Sequence, residues 1–277
     1  MQYQHIDKWA HHASIDYYIQ FVKAWIPFNA WYKRECNSAR LPNLTDSSCI
    51  LYLCNNTNTF KTKILSLLNG SNKEANCFKQ SIANLYEALN SHIIPDINNP
   101  INFSTMVPGT TSTNLVDKSF RHYHYKVERL GTNSFTFNIV VEDSTTHVTK
   151  YSKHLNRWNW NDIENDTSYT LLNSNECKSK IKEFFYEVNP KKPLDIVRHG
   201  KTLPNGSFKK PCNSIEIGKD TGIFFTNNKD DIAKVLIYLL YKLRCEIFHG
   251  SLDPTVANME VYEHAYNILF TLVKELI

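Results

Sequence analysis

The feature that most constrains the fold is a pair of helices predicted at the C-terminal end of the chain. Asp230 and Asp231 suit the first turn of the earlier helix, over residues 229–248, because the helix dipole favours acidic groups there. Gly250 is a natural helix stop, and Asp253-Pro254 can start a last helix that runs to about Ile277. Apolar residues of the first helix recur on one face, at Ile232, Val235, Leu236, Leu239, Leu240, Leu243 and Ile247.

The N-terminal third of the chain has the same helical periodicity. Residues 14–36 repeat apolar residues every three or four positions, with Ser14 as a candidate cap and Pro27 as an expected kink. Residues 59–69 and 74–94 predict two more helices. The segments 14–94 and 228–277 therefore predict the core of a helical bundle.

The middle of the chain has a different period. Polar and apolar residues alternate over 118–157, with Gly131-Thr-Asn between two runs, which predicts a small antiparallel sheet. Residues 176–187 predict a helix, and 189–222 predict a long loop with short strands near 194–198 and 223–226. The sequence thus predicts a mainly α fold, one domain over 1–277, with a small β-containing insertion over 118–226.

Composition narrows the expected environment. The first residues are polar, and no apolar run approaches the roughly 18 residues of a membrane span, so we expect a cytoplasmic protein without a membrane partner. The seven cysteines are odd in number and contain no Cys-x-x-Cys pair, which disfavours disulfides and a closed zinc site. We expect no metal and no cofactor.

The middle of the chain is also basic. Residues 118–219 contain 17 Lys or Arg against 11 Asp or Glu, which suits a polyanionic partner. Lys150, Lys153 and Arg157, with the ring of Trp158, are candidate RNA-binding residues because charge holds phosphates and rings stack on bases. The alternative is an ordinary sheet with a charged outer face and core tryptophans.

Arg244 and His249 are the candidate catalytic residues. Arg244 lies at the edge of the apolar stripe, where its charge needs a partner unless the side chain reaches out to solvent. His249 is five residues on, about 140° around the helix, so the two would meet only if His249 left the helix or if two copies came together. The alternative role for His249 is a histidine favoured by the helix dipole.

The run Arg244-Cys-Glu-Ile-Phe-His249-Gly250 resembles the Arg-x4–6-His signature of the HEPN superfamily, and Trp25-Ile-Pro-Phe-Asn-Ala-Trp-Tyr32 is similar to a first-helix motif in one prokaryotic branch. The resemblance implies a dimeric helical bundle acting as a metal-independent endoribonuclease, in toxin, abortive-infection or antiviral systems. Arg244 would then hold the scissile phosphate, and His249 would act as general acid/base or position the attacking ribose 2′-hydroxyl. An antitoxin or another defence component is an implied partner.

Three further residues are supporting candidates. Asn29 either reaches the Arg–His pair across the bundle or is a buried amide bonded to backbone. Cys245 and Glu246 stand where the resembled family often has other residues, and a carboxylate near a phosphate would repel it. Glu246 therefore favours the alternative function, a non-catalytic HEPN module that binds RNA, a nucleotide or a partner protein.

Overall fold

The computed structural model describes residues 15–96, 100–109, 113–131, 136–189, 192–204, 206–219 and 221–276. The predicted cap Ser14 lies outside these residues, as does part of the predicted Gly131-Thr-Asn turn. The first described helix is instead capped by Asp16, whose carboxylate accepts a hydrogen bond from the backbone N–H of Ile19 at 3.1 Å.

The described elements follow one another along the chain in this order. Four helices come first: α1 (Tyr17–Ser38), α2 (Asp46–Asn55), α3 (Thr59–Asn69) and α4 (Lys73–Ser91). Strands β1 (Leu115–Phe120), β2 (Tyr123–Leu130), β3 (Thr136–Asp143) and β4 (Thr149–Leu155) follow, then helices α5 (Asn161–Glu164), α6 (Thr167–Thr170) and α7 (Asn175–Glu187). The remainder is β5 (Val197–His199), β6 (Lys201–Thr202), β7 (Phe208–Lys209), β8 (Ser214–Glu216), β9 (Ile223–Thr226), α8 (Lys229–His249) and α9 (Val256–Val273).

The predicted fold class, a mainly α bundle with a small β insertion, is wrong. The protein is mixed, with 49% helix and 17% strand, and its strands form a four-stranded antiparallel sheet and two smaller sheets. The physical reason is that the strands bury apolar surface of their own. Phe137, Ile139 and Val141 of β3 are fully buried in a core formed by that sheet and its helices.

The chain divides into two compact units, the first formed by Met1–Pro108 with Pro193–Ile277 and the second by Gly109–Lys192. In the first unit, α9 packs against α1 and α4, while α8 packs against α2 and α3. Trp25, Phe28 and Tyr32 of α1 are buried in its core, as the apolar spacing predicts. Helix α1 continues through Pro27.

Strands from residues 197–226 also belong to the first unit. They form an antiparallel sheet in the order β5-β9-β8 and a separate β6–β7 hairpin, where we predicted a long loop with two short strands. The aromatic ring of Phe225 on β9 packs against Phe103 and Tyr86, which ties the sheet to the helical core. Of the predicted insertion over 118–226, residues 118–192 therefore belong to the second unit and residues 193–226 belong to the first.

The second unit is a four-stranded antiparallel meander in the order β1-β2-β3-β4, with helices on one face. The predicted alternation is confirmed, since Tyr125 and Val127 of β2 point into its core while Lys126 is exposed. Helix α7 matches the prediction over 176–187, and its Phe184 and Phe185 are buried. Strand β1 was not predicted.

Among the described residues, no helix combines the length and the apolar character that crossing a membrane would require.

Candidate active site

Helix α8 carries both predicted catalytic residues. It begins after Asn228, whose side chain accepts a hydrogen bond from the backbone of Asp231, and it ends at Gly250 in the left-handed conformation with φ 67°. The predicted start and stop of this helix are thereby confirmed. Most of its apolar stripe is buried, so packing fixes the rotation of α8 about its axis.

The Arg244 side chain is largely covered, with 17% of it exposed. Its terminal nitrogen lies 3.2 Å from a carboxylate oxygen of Asp46, and its guanidinium carbon is 4.1 Å from the centroid of the Phe248 ring. Its Nε is buried and has no hydrogen-bond partner among the residues that the structure describes. Arg244 is therefore held by an ion pair and a cation–π contact, with donor capacity left unused.

Asp46 is the residue that holds Arg244, and it is in the first turn of α2. Its other carboxylate oxygen lies 2.7 Å from the ammonium of Lys33. The Tyr32 hydroxyl donates a hydrogen bond to the Asp46 carboxylate. Burial opposes ionisation of this carboxyl. The hydrogen bonds from Lys33 and Tyr32 and the charge of Arg244 outweigh burial and hold the pKa of Asp46 below its usual value.

Asn29 belongs to the same set of contacts. Its amide nitrogen donates a hydrogen bond to the Tyr32 hydroxyl. Asn29, Tyr32, Asp46 and Arg244 therefore form a continuous polar chain, and Asn29 reaches Arg244 through two intermediates rather than directly. With Lys33, this Asp46 cluster contains two cations and one carboxylate, so it carries a net charge of +1.

Glu246 is turned away from Arg244. It is two residues along α8, roughly 200° around the helix, and only 7% of it is exposed. Its carboxylate accepts a hydrogen bond from the Ser251 hydroxyl at 2.5 Å, which fastens the end of α8 to the following loop. The carboxylate of Glu246 therefore does not face the position that a phosphate bound at Arg244 would occupy, and the expected repulsion does not follow from this geometry.

Cys245 is partly buried and hydrogen-bonded to the hydroxyl of Tyr241 one turn earlier. Burial, together with this bond, raises the pKa of Tyr241 well above its usual value. Cys245 thus contacts its own helix, and among the described residues it has no hydrogen bond to the Asp46 cluster.

His249 is exposed and is the last residue of α8. Its side chain has no hydrogen bond or ion pair within the described ranges. Because the helix continues through it, His249 is about 140° around the axis and roughly 7.5 Å along it from Arg244. Within one copy of the chain, the two candidate catalytic residues therefore face different directions.

Three of the four predicted RNA-binding residues make contacts inside the second unit. Lys153 is ion-paired with Asp166, and the guanidinium of Arg157 makes two hydrogen bonds to Asp162, at 2.8 and 2.9 Å. The Trp158 ring stacks on Phe185, with centroids 3.9 Å apart and an angle of 2° between planes. Lys150 is exposed.

Asp46, Lys33 and Tyr32 were not predicted as site residues. Asp46 follows Thr45, which caps α2, so the pattern reads as an ordinary helix start. Tyr32 lies on the predicted apolar stripe of α1, and Lys33 is the next residue. Nothing in the local sequence distinguishes these residues from capping, core and surface residues.

In the described parts of the chain, no group of three or more His, Cys, Asp or Glu is placed to hold a metal ion. No protein-family model, curated protein or solved structure matches this chain.

Proposed function

We propose that the protein is a metal-independent endoribonuclease in which Arg244 binds the scissile phosphate and His249 transfers protons. The observation that carries this proposal is the environment of Arg244. Its side chain is largely buried, is held by Asp46 and belongs to a cluster with net charge +1. Because of this net charge, the cluster can bind one negatively charged phosphate oxygen. Before a phosphate binds, both of its cations are paired with Asp46. The resemblance of the Arg244–His249 run to the HEPN signature supports the same assignment.

The proposed chemistry uses the ribose 2′-hydroxyl as nucleophile. His249, as neutral imidazole, takes the 2′-hydroxyl proton while the 2′-oxygen forms a bond to phosphorus. The bond from phosphorus to the 5′-oxygen breaks, and that oxygen takes a proton from an imidazolium or from water. The products are a 2′,3′-cyclic phosphate and a 5′-hydroxyl. Arg244 would stabilise the negative charge that develops on the phosphate oxygens.

The divergence of Arg244 and His249 on one helix leads us to propose a homodimer as the active form. Two copies of α8, related by a two-fold axis, would place the His249 of one copy beside the Arg244 of the other. Phe248 supports an interface here, since 51% of this large apolar residue is exposed next to His249. We further propose that the enzyme acts in the cytoplasm as a toxin or in antiviral defence, with an antitoxin or defence component as partner.

The alternative proposal is a non-catalytic module that binds RNA, a nucleotide or a partner protein. One observation favours it, namely that Arg244 already has a carboxylate partner while His249 stands apart. The two proposals differ in the effect of His249→Ala. This substitution abolishes an enzyme's cleavage, whereas it leaves a binding module's affinity for RNA almost unchanged.

The test is incubation of the purified full chain with total RNA, followed by mapping of fragment ends. Arg244→Ala and His249→Ala should each lower cleavage at least about 100-fold, the scale expected for lost electrostatic or acid–base assistance. Arg34→Ala and His122→Ala are matched controls, because both residues are exposed. Cleavage that survives His249→Ala, or fragments with 3′-hydroxyl ends, would refute the proposed mechanism.

The dimer is tested by mixing subunits. An excess of His249→Ala protein, added to wild type under conditions that allow subunit exchange, should suppress cleavage more than dilution does. Light scattering at the assay concentration gives the oligomeric state. A fully active monomer would contradict the shared site.

A further inference from the structure

A cleft in the first unit, remote in sequence from α8, is built from residues that suit a nucleotide. It has a volume of about 620 Å³ and lies between α4, the loop after it and strand β5. This volume is within the usual range for small-molecule sites. The lining residues used below are Tyr86, Asn90, Asn102, Ser104, Arg198 and His199.

One wall of the cleft offers a ring and unused amide groups. Tyr86 is held by the aromatic rings of Phe103 and Phe225, with centroids 6.0 and 5.9 Å away, so its position is fixed. The amide oxygen of Asn102 accepts from Ser104, while its amide nitrogen has no hydrogen-bond partner among the described residues. A planar heterocycle with hydrogen-bonding edges complements such a wall.

The opposite wall carries Arg198 and His199 of β5 together with Asp195. Arg198 is paired with Asp195 at 3.1 Å, so these two residues add no net charge to the wall. A smaller cavity of about 130 Å³, lined by Tyr86, Val197, Arg198 and His199 as well, continues towards Phe208 of the β6–β7 hairpin.

The β6–β7 hairpin carries two exposed lysines that are chain neighbours of the smaller cavity's lining, since Lys201 follows Gly200 and Lys209 follows Phe208. Lys201 and Lys209 are cross-strand partners, and neither has an ion pair with any residue that the structure describes. Like charges directly opposite each other destabilise a hairpin, so a bound anion would relieve their repulsion. Gly200 allows this hairpin to lie close to β9, because a Cβ there would be 2.5 Å from the Phe224 ring.

The charge distribution along the chain agrees with this placement. Residues 193–219 contain five Lys or Arg and two Asp or Glu, whereas residues 109–192 contain twelve and ten. The basic excess noted in the sequence is therefore strongest around β5–β8, and weaker in the four-stranded sheet where we expected it.

We propose that this cleft binds a nucleoside 5′-phosphate, with the base against Tyr86 and Asn102 and the phosphate towards His199 and the Lys201–Lys209 pair. The ligand is either a free nucleotide or one nucleotide of a single RNA strand, since both present a base and a phosphate. This proposal does not require that Arg244 and His249 cleave RNA.

The test is calorimetry on the full chain carrying His249→Ala, so that any cleavage does not consume the ligand. Nucleoside 5′-monophosphates are compared with nucleosides and with inorganic phosphate, and a short single-stranded oligoribonucleotide forms a second arm. The monophosphate of at least one base should bind about tenfold or more tightly than its nucleoside or phosphate alone. Lys201→Glu combined with Lys209→Glu should weaken that binding at least about tenfold.

One control variant and one further lining variant separate an effect on binding from an effect on folding. Lys23→Glu is the matched charge reversal, because Lys23 is an exposed lysine elsewhere in the same unit, and it should leave binding unchanged. Asn90→Ala, at an exposed lining residue, should weaken the nucleotide about threefold and leave phosphate binding unchanged. Circular dichroism shows whether each variant is folded.

The two arms identify the source of the ligand. If the oligoribonucleotide binds and both its binding and that of the monophosphate fall in the Lys201/Lys209 variant, the cleft takes an RNA strand. If only the monophosphate binds, the ligand is a free nucleotide. Absence of binding by every nucleotide probe, or equal binding by the folded Lys201/Lys209 variant, would overturn the proposal without affecting the RNA-cleavage proposal.

Discussion

Replacement of Asp46 by asparagine tests whether this carboxylate positions Arg244. Asp46→Asn keeps the size of the side chain and removes its charge. Lys33 and Arg244 would then be two neighbouring cations without the counter-charge of Asp46, and the buried Nε of Arg244 already lacks a hydrogen-bond partner in the described part of the chain. We expect Arg244 to lose its fixed position and the first unit to become less stable.

The magnitude follows from the exposure of the groups. The Asp46 side chain is 25% exposed, so the contacts fall between a surface ion pair and a fully buried one. Surface pairs contribute less than about 1 kcal/mol, while hydrogen bonds to charged groups contribute about 1.5–3 kcal/mol. We therefore expect Asp46→Asn to lower the free energy of unfolding by about 2 kcal/mol, which corresponds to a fall in Tm of roughly 4–8 °C.

The dependence on pH gives a more specific signature. The pKa of Asp46 is lower in the folded protein than in the unfolded chain, because hydrogen bonds and neighbouring cations outweigh burial. Its stabilising contribution is therefore fully present above the unfolded pKa and is lost as the pH falls through the folded pKa. The stability difference between wild type and Asp46→Asn should be constant near neutrality and should shrink below about pH 4.

The assay is urea denaturation followed by circular dichroism at a series of pH values, alongside RNA cleavage at neutral pH. Asp253→Asn is a suitable control, because Asp253 is exposed and its carboxylate has no ion pair with the described residues. A stability difference that persists unchanged into acid would refute the electrostatic argument. Full cleavage activity in folded Asp46→Asn would refute the positioning of Arg244 by this carboxylate.

Three other predictions concern the same site and the second unit. Cleavage should persist in excess EDTA, and activity that disappears with the chelator and returns with magnesium would contradict the Arg244–His249 mechanism. Glu246→Gln should lower the free energy of unfolding by about 1 kcal/mol and leave cleavage nearly intact, because glutamine still accepts from Ser251; a large loss of cleavage would show that Glu246 acts on the substrate. Lys150→Glu should flatten the salt dependence of RNA binding without unfolding the second unit, and an unchanged salt slope would show that the four-stranded sheet does not bind RNA. Trp158→Ala should destabilise the second unit by about 3 kcal/mol.

The local elements of the helical core were predictable because each has a strong sequence pattern. The apolar stripe of α8, the acidic pair at its start and Gly250 at its end gave its bounds to within a few residues. The alternation of β2, β3 and β4 was equally readable. The fold class was not, because β6, β7 and β8 are strands of two or three residues, too short to show a period.

Only those residues of the candidate site that lie together in one segment of the chain were predictable. Arg244 and His249 stand in a recognisable run, but Asp46 reaches Arg244 from almost 200 residues earlier in the chain. A helix-capping pattern explains an aspartate at position 46 without any reference to Arg244. Contacts between distant segments depend on how α1, α2 and α8 pack, and one sequence carries no direct signal for that.

The same helix that fixes Arg244 also determines what RNA cleavage would require. Packing of the α8 stripe holds Arg244 against Asp46, and continuity of the helix carries His249 to the far side of its C-terminal end. The Glu246–Ser251 hydrogen bond also ties the end of α8 to the loop that follows it. If Arg244 binds a phosphate and His249 transfers protons as proposed, assembly of two copies, rather than a conformational change within one, would bring them together at little cost in folding free energy. Under the proposed mechanism, RNA cleavage would therefore depend on the oligomeric state.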